Sequence, residues 1–224
     1  MLFLFDFYKS PFLILVKMKR GDKMKRVYTE YDKGIPILKF TECSNCSMPY
    51  GEHSNNIINR GCCWYDAEFD IYDLKNLVDI DIDLLNNLLK KYTYKIKNSD
   101  LYYAIEFPAI CYGKDNVKHN KVCIFFEKYK GCKLPIYAKP FICRTALCPQ
   151  VRLYLLPEDY RQIRNFINKA YRHRLMAIEE IKQKLNFSSI KPDNIYEVIN
   201  VLKSISPLKP IDEIRINILV KNKN

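Results

Sequence analysis

Cysteine is the residue type that promises chemistry in this chain. Eight of its nine cysteines fall into two sets of four, Cys43, Cys46, Cys62 and Cys63 upstream, and Cys123, Cys132, Cys143 and Cys148 downstream. Cys43 and Cys46 form a C-x2-C pair, a spacing that lets two thiolates from one tight turn meet the same tetrahedral metal ion. Cys62 and Cys63 are adjacent, so their side chains leave the backbone in different directions. One can join the metal of the first pair while the other faces a second metal or the core. Two sets of four thiols fit two closed four-thiolate sites, or one iron–sulfur cluster with structural thiols to spare. Zinc and iron both accept four thiolates, so spacing leaves both open, a 4Fe-4S cluster included.

Thiols in such number mean disulfides in a secreted chain and metal or reactivity in a reducing compartment. The opening stretch MLFLFDFYKSPFLILVKMKRGDK is apolar but interrupted by Asp6, Lys9 and Pro11. It is neither a signal peptide, which needs a basic start and an unbroken apolar centre, nor a membrane helix, which needs about 20 apolar residues. The expectation is a cytoplasmic metal-binding protein without a membrane partner. Residues 1–23 are expected to be a non-native extension. The run RGDKM can be encoded by AGAGGTGATAAAATG, a purine-rich ribosome-binding sequence of bacterial type followed by a start codon at Met24. Loss of those residues would lower the net charge from +12 to +9.

Other candidate ligands each have an ordinary alternative. His53 and His119 could replace a thiolate at zinc, or be surface or hydrogen-bonded histidines. Cys111 stands outside the two sets and reads as a buried apolar thiol. Arg144, directly after a presumed ligand, could donate N–H groups towards metal-bound sulfur or form a surface ion pair. His173, between Arg172 and Arg174, reads as solvated. Asp66, Glu68 and Asp70 alternate like the exposed face of one strand, and neither a Ser-His-Asp arrangement nor a phosphate-cradling glycine loop appears. No catalytic residue is named.

From Thr41 to Pro149, about half of the chain, the sequence resembles the YkgJ-type (CxxCxxCC) cysteine-cluster family, described as zinc- or iron-chelating domains. The downstream half carries the more specific likeness: Cys123, Phe125, Gly131, Cys132, Ile136, Tyr137, Lys139, Pro140, Cys143, Arg144 and Cys148 stand at the family's recurrent positions. Two departures are visible. Fifteen residues separate Cys46 from Cys62 where the family keeps its first cysteines close, and Lys139 replaces the usual arginine before proline. The resemblance implies that all eight cysteines are metal ligands. It also suggests an enzyme alternative, a protein lysine N-methylase resembling the flagellin lysine methylases that share the cysteine-rich domain. Calorimetric heat with S-adenosylmethionine would mark that activity.

The elements that must position these residues read as an α+β fold, with a small irregular cysteine-rich metal-binding domain over 24–156 and a helical C-terminal part over 157–224. Asp81 or Asp83 can cap a helix presenting Leu84, Leu85, Leu88 and Leu89. The run LYYAIEFPAICYG reads as one strand interrupted at Pro108. From Pro157, with Glu158 and Asp159 at its N-terminus, a long amphipathic helix should bury Ile163, Ile167, Ala170, Leu175, Ile178 and Ile181. A second helix is expected from Pro192, and the closing VKNKN is expected to fray. With 48% apolar residues the chain can bury a real core.

The charge of +12 admits nucleic acid as a partner, but lysine is spread along the chain rather than gathered into a footprint. A nucleic-acid-binding metal protein using the helix face from Arg161 to Arg174 is therefore a further alternative, and its affinity would fall steeply with salt. The partners that fit the leading reading are a metal ion and a protein.

Overall fold

The computed structural model describes residues 25–33, 35–40, 63, 65–99, 102–111, 121–127, 131–147, 152, 155–185, 194–209, 211 and 217–220, the side chains of 25, 26, 40, 111 and 217–220 excepted. Its fold is α+β. Strands β1 (Lys25–Asp32) and β2 (Ile35–Phe40) form a hairpin whose turn places Lys33 at φ 52°. Strand β10 (Asn217–Val220) returns from the far end of the chain to pair antiparallel with β1, setting Val27 opposite both Ile218 and Phe40. The strand contains Val220 of the stretch expected to fray, and residues 221–224 lie outside the described residues.

A second sheet has the order β3 (Ala67–Asp70), β5 (Tyr102–Phe107), β4 (Lys95–Ser99), all antiparallel. Central β5 buries Tyr103, Ala104, Ile105 and Phe107, as a strand covered on both faces requires. Its continuation past Pro108 is the short β6 (Ile110–Cys111), so the expected interruption is observed. Strand β6 pairs with β7 (Lys121–Val122).

Helix α1 (Ile71–Ile80) begins where β3 ends, with Asp70 as N-cap accepting the Asp73 amide at 3.0 Å. Asp70 is thus buried at a strand-to-helix junction and not on an exposed strand face. Seven consecutive α1 residues, Ile71 to Leu77, are buried between β3 and the helices α2 (Ile82–Lys91), α4 (Pro157–Lys184) and α5 (Ile195–Ser204). A helix enclosed on all sides must pair its polar groups. Lys75 does so through Asp79 and, at 2.9 Å, the Ile205 carbonyl beyond α5.

Of the two candidate caps for α2, Asp81 serves, accepting from the Leu84 amide at 3.0 Å and from the Tyr137 hydroxyl at 2.7 Å. Leu85, Leu88 and Leu89 are buried and Leu84 half-buried. Pro157 occupies the first turn of α4, whose core face is Ile163, Phe166, Ala170, Ala177 and Ile181. Leu175, expected on that face, is exposed, because the stripe passes through Phe166 and Ala177 instead. Helix α5 starts at Ile195, capped by Asn194 through the Tyr196 amide, rather than at Pro192.

Ile181, Val198, Ile199 and Leu202 share one core with Leu74, Leu85, Ile105 and Phe107, so residues on both sides of position 157 pack together. Among the described residues no helix is long and apolar enough to cross a membrane.

Candidate functional site

The downstream cysteine segment is built on a small hairpin, β8 (Phe126–Glu127) with β9 (Gly131–Cys132). Cys123 opens it: its carbonyl accepts the Phe126 amide at 2.8 Å, closing a turn, and Cys132 then stands opposite Phe126 in the ladder. Gly131 sits at φ +86°, a left-handed conformation that glycine adopts without strain. The hairpin is anchored by Phe125, whose ring meets those of Phe69, Phe107 and Tyr92 at centroid distances of 6.2, 5.3 and 5.2 Å, all edge-on. Such contacts fix orientation as well as burying area.

Cys63, from the upstream set, reaches this hairpin. The Cys123 amide donates to the Cys63 carbonyl at 3.0 Å, and both residues pack against Val122 and Phe126. Cys123 and Cys132 also pack against the main core, and all three are half-buried. The Lys133 amide donates to the Phe125 carbonyl at 2.8 Å and extends the pairing past Cys132. Cys143 lies on another element, the short helix α3 (Phe141–Thr145), with its side of the helix exposed. Cys43, Cys46, Cys62, Cys148, His53 and His119 lie outside the described residues, as does the Cys111 side chain. Among the described residues no three His, Cys, Asp or Glu side chains form a group able to hold a metal.

Arg144 turns the other way from Cys143, as successive helix residues do. It is 1% exposed, its Nη2 donates to Asp73 Oδ1 at 2.7 Å, and its guanidinium lies 6.0 and 5.9 Å from the Tyr72 and Phe141 rings. The surface ion pair is corrected by this, because α1 supplies the carboxylate of Arg144 inside the core; its Nε and Nη1, also buried, have no hydrogen-bond partner among the described residues. Asp73 also accepts the Phe141 amide at 3.0 Å on each oxygen. Burial, with the neighbouring Asp70 carboxylate, pushes the Asp73 carboxyl up to about 7, against the pull of Arg144 and the Phe141 amide. His173, expected to be solvated, is half-buried. Its Nε2 is 2.7 Å from the Lys209 carbonyl and its ring stands edge-on to Tyr72.

Sequence reasoning missed a cavity of about 510 Å³ between α3, α4 and the β3–α1 junction. Tyr160, Arg164, Ile167, Asn168, Tyr171 and Arg174 line it from α4, a second stripe beside the core stripe. Their three- and four-residue spacing was the available signal. Opposite stand Phe141, Ile142, Asp70, Asp73, Glu68 and Tyr102. Arg174 pairs with Asp70 and lies 5.1 Å from the Phe141 ring and 5.7 Å from that of Tyr171. Glu68 receives Lys97 at 2.7 Å and the Tyr102 hydroxyl. Together these donors outweigh desolvation and hold its carboxyl below the usual range. Lys97 also reaches Glu106, which faces Glu68 across the β3–β5 pair, and so relieves the repulsion between two opposed carboxylates.

In comparison with known proteins, no family model, no curated protein and no solved structure matches this chain.

Proposed function

We propose that the chain is a metal-binding cysteine-cluster protein, with Cys43, Cys46, Cys62, Cys63, Cys123, Cys132, Cys143 and Cys148 as its thiolate ligands and zinc or iron as its metal. The observation that carries this reading is the 3.0 Å hydrogen bond from the Cys123 amide to the Cys63 carbonyl, which joins the two cysteine sets at one hairpin. Cys63 and Cys123 are joined by that backbone bond, Cys132 stands on the same hairpin, and all three are half-buried, so each leaves part of its surface open. Thiolates so placed are soft donors of the kind zinc and iron–sulfur clusters take. Of the upstream set Cys63 is a neighbour of Cys123, and this supports a shared region for those two thiols.

The test is anaerobic purification with elemental and acid-labile sulfide analysis. Stoichiometric zinc in a colourless protein supports structural sites, and iron with sulfide in a brown protein supports a cluster. Protein that folds cooperatively with neither metal would sink the reading.

A further inference from the structure

We infer that the cavity between α3 and α4 binds a nucleoside monophosphate, its phosphate on Arg152 and Arg164 and its flat ring against Phe141, Ile142 and Tyr171. The inference is independent of the thiolate reading. It begins with charge. Each carboxylate lining the cavity is met by a cation: Asp70 by Arg174, Asp73 by Arg144 at 2.7 Å, and Glu68 by Lys97 at 2.7 Å, a lysine that Glu106 shares. Arg152 and Arg164 line the same cavity, are exposed, and have no carboxylate partner among the described residues. Two uncompensated guanidinium groups suit a dianion, and a phosphate monoester carries close to two negative charges at neutral pH with oxygens that match the guanidinium fork.

Position supports the same ligand. The Arg152 guanidinium lies 5.0 Å from the Tyr160 ring, which carries it to the start of α4. Arg164 follows Tyr160 by one helical turn on the same lining stripe, so both cations border Tyr160. Further along the stripe, Tyr171, 47% exposed, meets the buried Phe141 of α3 with ring centroids 6.4 Å apart and Arg174 beside both rings, and Ile142 of α3 is 65% exposed at the rim. The two free arginines and this aromatic end are thus separated along the length of the cavity. The volume of about 510 Å³ falls within the range of about 300–1,000 Å³ typical of small-molecule sites.

The experiment is isothermal titration of the full chain, at low salt, with adenosine, cytidine, guanosine and uridine monophosphates, and separately with adenosine and inorganic phosphate. Binding of at least one monophosphate is expected, with adenosine and phosphate each weaker. Arg164→Gln and Arg152→Gln should each weaken that binding about tenfold or more, without shifting the melting temperature. Arg161→Gln, on the same helix but outside the cavity lining, should leave it unchanged. Absence of heat with all four monophosphates at millimolar concentration would overturn the inference. So would equal loss in Arg161→Gln, or adenosine or phosphate binding as tightly as the monophosphate.

Discussion

Asp73 is pulled in two directions, by burial beside Asp70 and by the Arg144 and Phe141 donors, and burial wins. The folded chain therefore keeps its proton up to about 7, whereas an unfolded aspartate has released it near 3.8. Across that window the folded state binds more protons than the unfolded state, so this group's contribution to stability is complete below the lower value and declines as pH rises towards 7. Asp73→Asn removes the titration and one acceptor oxygen. Urea unfolding should find the variant less stable at pH 5 by about 1–3 kcal/mol, with the deficit shrinking or reversing by pH 8. A deficit that is constant or grows with pH would show that Asp73 is ionised throughout. At the cysteines, Cys123→Ser, Cys132→Ser and Cys63→Ser should each lower metal per chain and blunt the cooperativity of unfolding. Structural zinc contributes on the order of 10 kcal/mol to folding. Cys111→Ser should leave metal content unchanged, and retention of full metal by the first three would identify them as core thiols. Residue types pointed to the thiols because ligand chemistry is local and readable. Arg144 misled because its partner, Asp73, is distant in sequence, and only the packing of α1 against α3 brings the two together.

Among elements, α2 and α4 were legible because one face of each meets water, so caps and periodicity survive in the sequence. Helix α1 was not. From Ile71 to Leu77 it has no exposed face, so its polar Asp73, Lys75 and Asn76 are buried and blur the pattern, and its acidic cap at Asp70 ends a strand whose alternation runs straight into it. Strand β10 escaped notice because its partner β1 lies far along the chain, which no short window contains, whereas the local β1–β2 hairpin, closed between Asp32 and Ile35, went unread. The hairpin bearing Cys132 depends instead on one glycine. An added Cβ at Gly131 would meet nothing within 4 Å, so Gly131→Ala should be opposed by backbone conformation alone, at about 1–2 kcal/mol. Thermal unfolding should register that cost, and Gly131→Asn, which tolerates the left-handed region better, should lose less. Equal losses in the two variants would point to a different origin.

Across the whole molecule, the ring cluster of Phe69, Phe107, Phe125 and Tyr92 ties the cysteine hairpin to the central sheet and to α2. Phe107→Ala should cost about 3–5 kcal/mol in chemical denaturation, and it should loosen the hairpin as well, read as faster amide exchange at Phe126 and Lys133. Normal protection at those amides in a destabilised variant would mean that the hairpin holds itself together. The pairing of β10 with β1 has a different sort of consequence. During synthesis on the ribosome β1 emerges well before β10, so the edge of β1 that β10 covers stays open while nearly all of the described chain between them is made. An unpaired edge invites strand addition from another chain. Nascent protein should therefore be most prone to aggregate before β10 is released, and a permutant that places β10 directly before β1 would remove that interval.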